Sequence, residues 1–250
     1  MRQEFDSSLN HLELKDNRLH SLLELTNAIN ANLAIDQLYR IFTFIMKEQL
    51  NFSRFALLMA QEEWELAAKS GYKGKITPND LAQELQRFKD ITLVASSNSP
   101  QLKDFQAVIP IFHQERALAF LLLATPGKTE YLEPQHFSFA QTLTNILSVA
   151  IENRRLTKQN LIQERISKEL ELASEMQKLL FPQELPSNKK MDLSGKYIPR
   201  HAIGGDYYDF IPLGDEEYII CIGDVSGKGI TAAMLMANFQ ATIRTLFKYQ

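Results

Sequence analysis

The sequence contains one cysteine, Cys221, and one tryptophan in 250 residues. A single thiol excludes an internal disulfide and any cysteine-rich zinc site, and it fits a reducing compartment. The thiol lies within an apolar stretch, Tyr218-Ile219-Ile220-Cys221-Ile222, where a small buried apolar residue is the simplest reading. Neither sign of charge dominates: 27 Lys and Arg stand against 30 Asp and Glu, a formal net charge of −3. That removes the usual reason to expect nucleic acid or an anionic membrane as a partner. Long apolar runs are missing too. The most apolar one, 117–125, falls far short of the ~20 residues that cross a bilayer. Residues 1–6 do not follow the charged-then-apolar order of a signal peptide. With 45% hydrophobic and 23% charged residues, the chain is expected to be a globular cytoplasmic protein of one large or two modest domains.

What is present is organised in blocks. Leu9, Leu12, Leu19, Leu22, Leu23, Ile29 and Leu33 recur mostly at helical spacing, which predicts a helix over 8–31. A second helix is predicted over 35–50, with Leu38, Ile41, Phe42, Ile45 and Met46 inward. Strands follow at 54–60 and 64–69, then a short helix over 78–88 with Pro78 at its first turn. Segments 105–113 and 116–125 read as a hairpin through Gln114-Glu115. Its second strand is apolar on both faces and should lie inside its sheet. From Glu133 the pattern is helical to about Leu180. Strands are expected at 191–198, 206–213 and 217–223, and a final helix over 229–249.

The densest chemistry is Gly204-Gly205-Asp206-Tyr207-Tyr208-Asp209-Phe210, followed by Gly223-Asp224-Val225-Ser226-Gly227-Lys228-Gly229. Asp206 and Asp224 each follow a glycine, 18 positions apart. A carboxylate leaving a strand into a glycine turn is held rigidly, which suits a hard divalent cation that wants fixed oxygen ligands and completes its shell with water. Other readings exist. Both residues are ordinary turn formers. The first motif has a slight look of the acidic turn of diguanylate cyclases, but tyrosines at 207 and 208 replace an acid. The second is not a phosphate-binding loop, because its glycines are one residue too close and Gly229 stands where a hydroxyl is required. Lys228 reads as a solvated turn residue.

Taken together, these motifs resemble the SpoIIE-like branch of the metal-dependent serine/threonine phosphatases, the PPM superfamily. The resemblance runs from about Leu172 to Gln250. It includes Ala173-Ser174-Glu175-Met176-Gln177-Lys178-Leu179-Leu180-Phe181-Pro182, Pro186, Tyr197-Ile198-Pro199 and Thr231-Ala232-Ala233-Met234-Leu235-Met236-Ala237. It implies that Asp224 bridges two Mn²⁺ or Mg²⁺ ions, that the Val225 carbonyl binds one, and that Asp206 serves directly or through water. Asp209 is a further candidate carboxylate. The family's remaining acidic ligands lie downstream and outside this sequence. The expectation is therefore a fragment with weak Mn²⁺ binding and no significant phosphatase activity of its own. A phosphoserine or phosphothreonine protein is the implied substrate, often an anti-sigma-factor antagonist of the partner-switching type.

The order of elements over about 20–156 resembles a GAF domain, a sensory and dimerisation module. The closing helix carries that likeness best, from Phe139-Ala140-Gln141 to Ile151-Glu152-Asn153-Arg154-Arg155-Leu156. Residues of the cyclic-nucleotide GAF pattern are missing, and no cysteine is available for a bilin. His113 and His136 read as ordinary histidines rather than haem ligands, and the phenylalanines as core. The expected organisation is a GAF-like domain at 1–155, a coiled-coil-like helical linker at 156–186 and the start of a phosphatase domain at 187–250. The expected class is α+β: a GAF-like antiparallel sheet flanked by helices, a long helix, then the start of a β-sandwich. Two seams run along the linker, one through Leu156, Gln159, Gln163, Ile166, Leu170, Ala173, Gln177 and Leu180. The other passes through Ile162, Glu169, Leu172, Met176 and Leu179. Either would support a parallel homodimer at some cost from its polar positions. A non-catalytic sensory and dimerisation module is the rival reading of the whole.

Overall fold

The structure is a computed structural model that describes residues 2–52, 54–94, 101–124, 134–214 and 217–248. The chain forms two compact units, 1–157 and 158–250.

Unit 1 begins with helices α1 (Arg2–Asn30) and α2 (Ile35–Phe44), the latter continued by a π-helical turn over Ile45–Gln49. A five-stranded antiparallel sheet follows: β1 (Arg54–Ala60), β2 (Trp64–Ser70), β3 (Thr92–Leu93), β4 (Ala107–His113) and β5 (Arg116–Ala124). Helix α3 (Pro78–Leu85) precedes β3, and the strand order is β2-β1-β5-β4-β3. β5 is therefore central, as its two apolar faces require. Alternate residues feed two cores. Phe55, Leu57, Met59, Leu121 and Leu123 meet Leu25, Leu38, Phe42, Leu143 and Leu147 on the helix side. Ala56, Leu58, Phe120 and Leu122 meet Leu81, Leu85, Leu102 and Phe105 on the other. Trp64 stacks on Phe120 with centroids 5.1 Å apart. The α+β expectation and the GAF-like sheet hold, and the β4–β5 turn is the expected pair, with Gln114 at φ +54°.

Helix α1 has no basic residue in its last turn. Arg154 serves that end instead, donating to the carbonyls of Ile29 (2.8 Å) and Leu33 (2.6 Å), which satisfies orphan carbonyls at a helix terminus. Leu25 and Ala28 of α1 are buried while Leu19 and Leu23 stay exposed. The side chains of Leu9 and Leu12 lie outside the described residues. Arg154 lies on α4 (Pro134–Lys178), a continuous helix of 45 residues.

Unit 2 contains the C-terminal part of α4, the antiparallel hairpin β6 (Asp206–Pro212) and β7 (Tyr218–Asp224), and helix α5 (Gly229–Lys248). The strand expected at 191–198 is not there. One isolated bridge, Ser187 to Asp192, is all that forms. No neighbouring strand pairs with the rest of that segment among the described residues; it instead lays Tyr197 flat on Phe181, with ring centroids 4.5 Å apart. The expected end of the last helix at 249 falls outside the described residues.

Candidate functional site

Hairpin register decides what the two glycine–aspartate motifs do. Asp206 pairs with Asp224, Tyr207 with Gly223, Tyr208 with Ile222 and Asp209 with Cys221. The two candidate carboxylates are thus directly opposite across the ladder, on the same face and both exposed. Directly opposed like charges destabilise an antiparallel pair. A divalent cation between them reverses the sign of that interaction, and carboxylates are the ligands such a cation prefers.

The turn beside them is fixed by close contact. The Val225 N–H donates to the Gly205 carbonyl at 3.4 Å. A Cβ at Gly205 would come 2.7 Å from the Val225 carbonyl oxygen and 3.0 Å from the Ala232 Cβ. Only glycine lets these backbones approach, so Gly205 holds the Val225 carbonyl next to Asp206. Gly205→Ala is expected to cost about 1–3 kcal/mol of unit 2 stability through overpacking. It should also displace that carbonyl, which a urea melt and a Mn²⁺ titration would both record.

Gly204, one residue earlier, is held from α4. The Gln177 amide donates to the Gly204 carbonyl at 2.7 Å, and the Gly204 N–H donates back to Gln177 Oε1 at 3.2 Å. This buried glutamine treats the backbone of Gly204 as a strand neighbour would. Sequence periodicity assigns Gln177 to a helix seam and misses this role. Its one signal is a polar side chain repeated where an apolar one is expected.

Asp209 is corrected by the structure: it belongs to the opposite face and does not join the other two carboxylates. It is buried and accepts from Arg244 Nε (2.7 Å) and Nη2 (2.9 Å), from the Tyr207 hydroxyl (2.5 Å) and from the Phe210 N–H (2.9 Å). Burial alone would raise its pKa. The Arg244 fork, the Tyr207 hydroxyl and the Phe210 amide outweigh burial and hold the carboxyl below its ordinary value. Tyr207 is pushed the other way, first by burial and then by Asp209. This group anchors α5 to β6 and is structural. Cys221 is half-buried rather than buried, and burial raises its thiol.

Two carboxylates and one carbonyl fit part of a hard-cation site, with water completing the shell. Among the described residues no group of three or more His, Cys, Asp and Glu could hold a metal ion. The hairpin face carrying Asp206 and Asp224 also leaves Ile220 and Ile222 exposed.

Comparison with known proteins gives the segment a relationship. The family model for Stage II sporulation protein E (SpoIIE) matches residues 214–250, a stretch that contains Asp224 and Val225 but not Asp206. The chain is 36% identical over 86 residues to the phosphoserine phosphatase RsbU of Bacillus subtilis, covering 34% of this chain and 25% of that protein. It is 37% identical over 76 residues to protein IcfG of Synechocystis, covering 30% of this chain and 12% of that protein. The matched stretches thus span a quarter or less of these relatives' lengths. Among solved structures, the GAF domain of a phosphoenolpyruvate-protein phosphotransferase from Coxiella burnetii aligns with 57% of this chain and 96% of its own. That alignment has 21% identity and a TM-score of 0.46.

Proposed function

The chain carries a GAF-like unit followed by the start of a SpoIIE-like phosphatase segment, and we propose from this premise that it is part of a GAF-regulated bacterial phosphoserine/phosphothreonine protein phosphatase. The observation that carries the proposal is the register of β6 against β7, which sets Asp206 opposite Asp224. In this reading Asp206, Asp224 and the Val225 carbonyl hold the divalent ions, two Mn²⁺ or Mg²⁺ in the complete enzyme. When bound, such ions lower the pKa of a coordinated water and neutralise charge on a phosphoryl group. The chain's own residues hold the ligands still: Gly205 by its close contact with Val225, Gln177 by gripping Gly204, and Arg244 by locking α5 to β6 away from the ions. Cys221 needs no catalytic role, since attack by water forms no covalent enzyme intermediate.

Two carboxylates cannot offset the four positive charges of a binuclear site, so the site as described is incomplete. The proposed division is a GAF-like domain at 1–155, a helical linker at 156–186 and the first part of a phosphatase domain at 187–250. The proposed substrate is a phosphorylated anti-sigma-factor antagonist in the cytoplasm; no helix among the described residues is long and apolar enough to cross a membrane. The test is phosphate release from a phosphoserine protein by a polypeptide extended through the downstream acidic ligands. Mn²⁺-dependent turnover is expected, and metal-independent turnover would refute the reading.

A parallel homodimer through α1 and the 156–180 helix belongs to the same proposal. Ile162, Ile166, Leu172, Met176 and Leu179 are all exposed, as are Leu19 and Leu23 of α1. Gln177 at the C-terminal end of one seam is buried against Gly204, whereas Leu156 and Ile166 earlier on that same seam stay exposed. Replacing Ile166 and Leu170 together by Glu should shift light-scattering mass from dimer toward monomer, since like charges would meet across the helices. A monomeric wild-type chain at tens of micromolar would refute the dimer. The same exposed helix favours the second reading, a sensory and dimerisation module whose working part is this helix; that reading predicts dimerisation without any metal-dependent activity.

A further inference from the structure

One buried polar side-chain atom near this site, the Tyr197 hydroxyl oxygen, lacks a hydrogen-bond partner. Burying a hydroxyl without a partner costs about 1–3 kcal/mol, and buried polar atoms are rarely left that way. Packing does not explain it. The ring stacks on Phe181 at 4.5 Å with an interplanar angle of 29°, and a phenylalanine would stack equally well.

The hydroxyl is nevertheless accommodated closely. A Cβ at position 204 would lie 2.5 Å from it, so the glycine there leaves room for that oxygen. The Gly204 N–H is given to Gln177 at 3.2 Å, and an N–H could not in any case accept the phenol's proton. Asp206 opens β6 two residues after Gly204. The unmatched donor therefore sits against the loop that leads into one of the two opposed carboxylates.

We propose that Tyr197 is a positioning residue for the divalent-cation site, its hydroxyl donating to the Asp206 carboxylate, directly or through one water, when that carboxylate holds the ion. Carboxylates that ligate metals are themselves commonly hydrogen-bonded by a surrounding group, which fixes their orientation. Phe181 fixes the ring, Gly204 leaves space for the hydroxyl, and Asp206 provides the acceptor. The inference rests on the reading of Asp206 and Asp224 as cation ligands.

The test is calorimetric titration of Mn²⁺ into the 250-residue chain and its Asp224→Asn and Tyr197→Phe variants, with a metal-free thermal melt of each. Wild type is expected to bind and Asp224→Asn to lose binding. Tyr197→Phe should weaken binding roughly tenfold, the usual cost of removing an outer partner. Its metal-free melting temperature should stay the same or rise, because an unsatisfied hydroxyl has been removed. Wild-type affinity in Tyr197→Phe overturns the proposal while leaving the cation site standing. Weakened binding together with a lowered metal-free melting temperature assigns the hydroxyl to the fold and overturns it as well. Equal binding, or none, in wild type and Asp224→Asn sinks the cation site itself and this inference with it.

Discussion

Under the proposed phosphatase reading, Asp224→Ala in the polypeptide extended through the downstream acidic ligands is expected to abolish turnover, with a loss beyond about a thousandfold. Removing one well-placed electrostatic group from an active site costs 10²–10³, and a ligand proposed to bridge two ions would support both at once. Among the described residues nothing nearby can replace it: Asp206 faces it across the ladder, and Asp209 is committed to Arg244 on the other side of the hairpin. The substitution should leave the fold intact. It removes one of two directly opposed negative charges, so the metal-free hairpin should be at least as stable as before. Initial rates of phosphate release with saturating Mn²⁺, beside a metal-free melt, check both halves. Retained turnover would remove Asp224 from the ligand set.

Arg244→Ala is expected to loosen unit 2 without touching the hairpin face that carries Asp206 and Asp224. It strands a buried carboxylate that now accepts two bonds from the guanidinium. Breaking a buried pair typically costs 3–5 kcal/mol. The Arg244 side chain is 46% exposed, so the low end, about 3 kcal/mol, is expected. Hydrogen exchange should read this as roughly 100-fold faster opening of the Tyr207–Cys221 amides, since each 1.36 kcal/mol is a factor of ten. The pH dependence has a definite sign. The folded state holds Asp209 below its ordinary pKa, so folding releases a proton near that range. Its contribution is fully present above the unfolded value of about 3.9 and is lost as pH falls through the lower folded value. The cost of Arg244→Ala should therefore shrink in acid. A cost that stays unchanged as pH falls through the acid range, down to acid unfolding, would place the effect in packing rather than charge.

Much of this was legible because it depends on local rules. β5 is apolar on both faces and proved central; Gln114-Glu115 sits between two strands and proved a two-residue turn. Gly204-Gly205-Asp206 and Gly223-Asp224 flank apolar stretches, and the hairpin brings the two aspartates opposite each other. The misses need information that periodicity does not carry. Alternation at 191–198 suggests a strand, but a strand requires a neighbour, and Tyr197 spends its side chain on Phe181 instead. The π turn at Ile45–Gln49 comes from Leu50 N–H reaching the Ile45 carbonyl, a shift of one residue that the same apolar positions tolerate. Asp209 and Arg244 lie 35 positions apart, and nothing in the sequence says which of several basic residues closes on which acid. Gln177 looked like an imperfect seam residue because its partner is a backbone, which has no sequence signature.

Titrating Mn²⁺ into the 250-residue chain, in wild type and in Asp206→Asn and Asp224→Asn, tests the central claim most directly. Weak binding by the wild type is expected, lost in both variants, with metal-free stability equal or higher in each because the opposed charges are relieved. Binding that survives both replacements would contradict it.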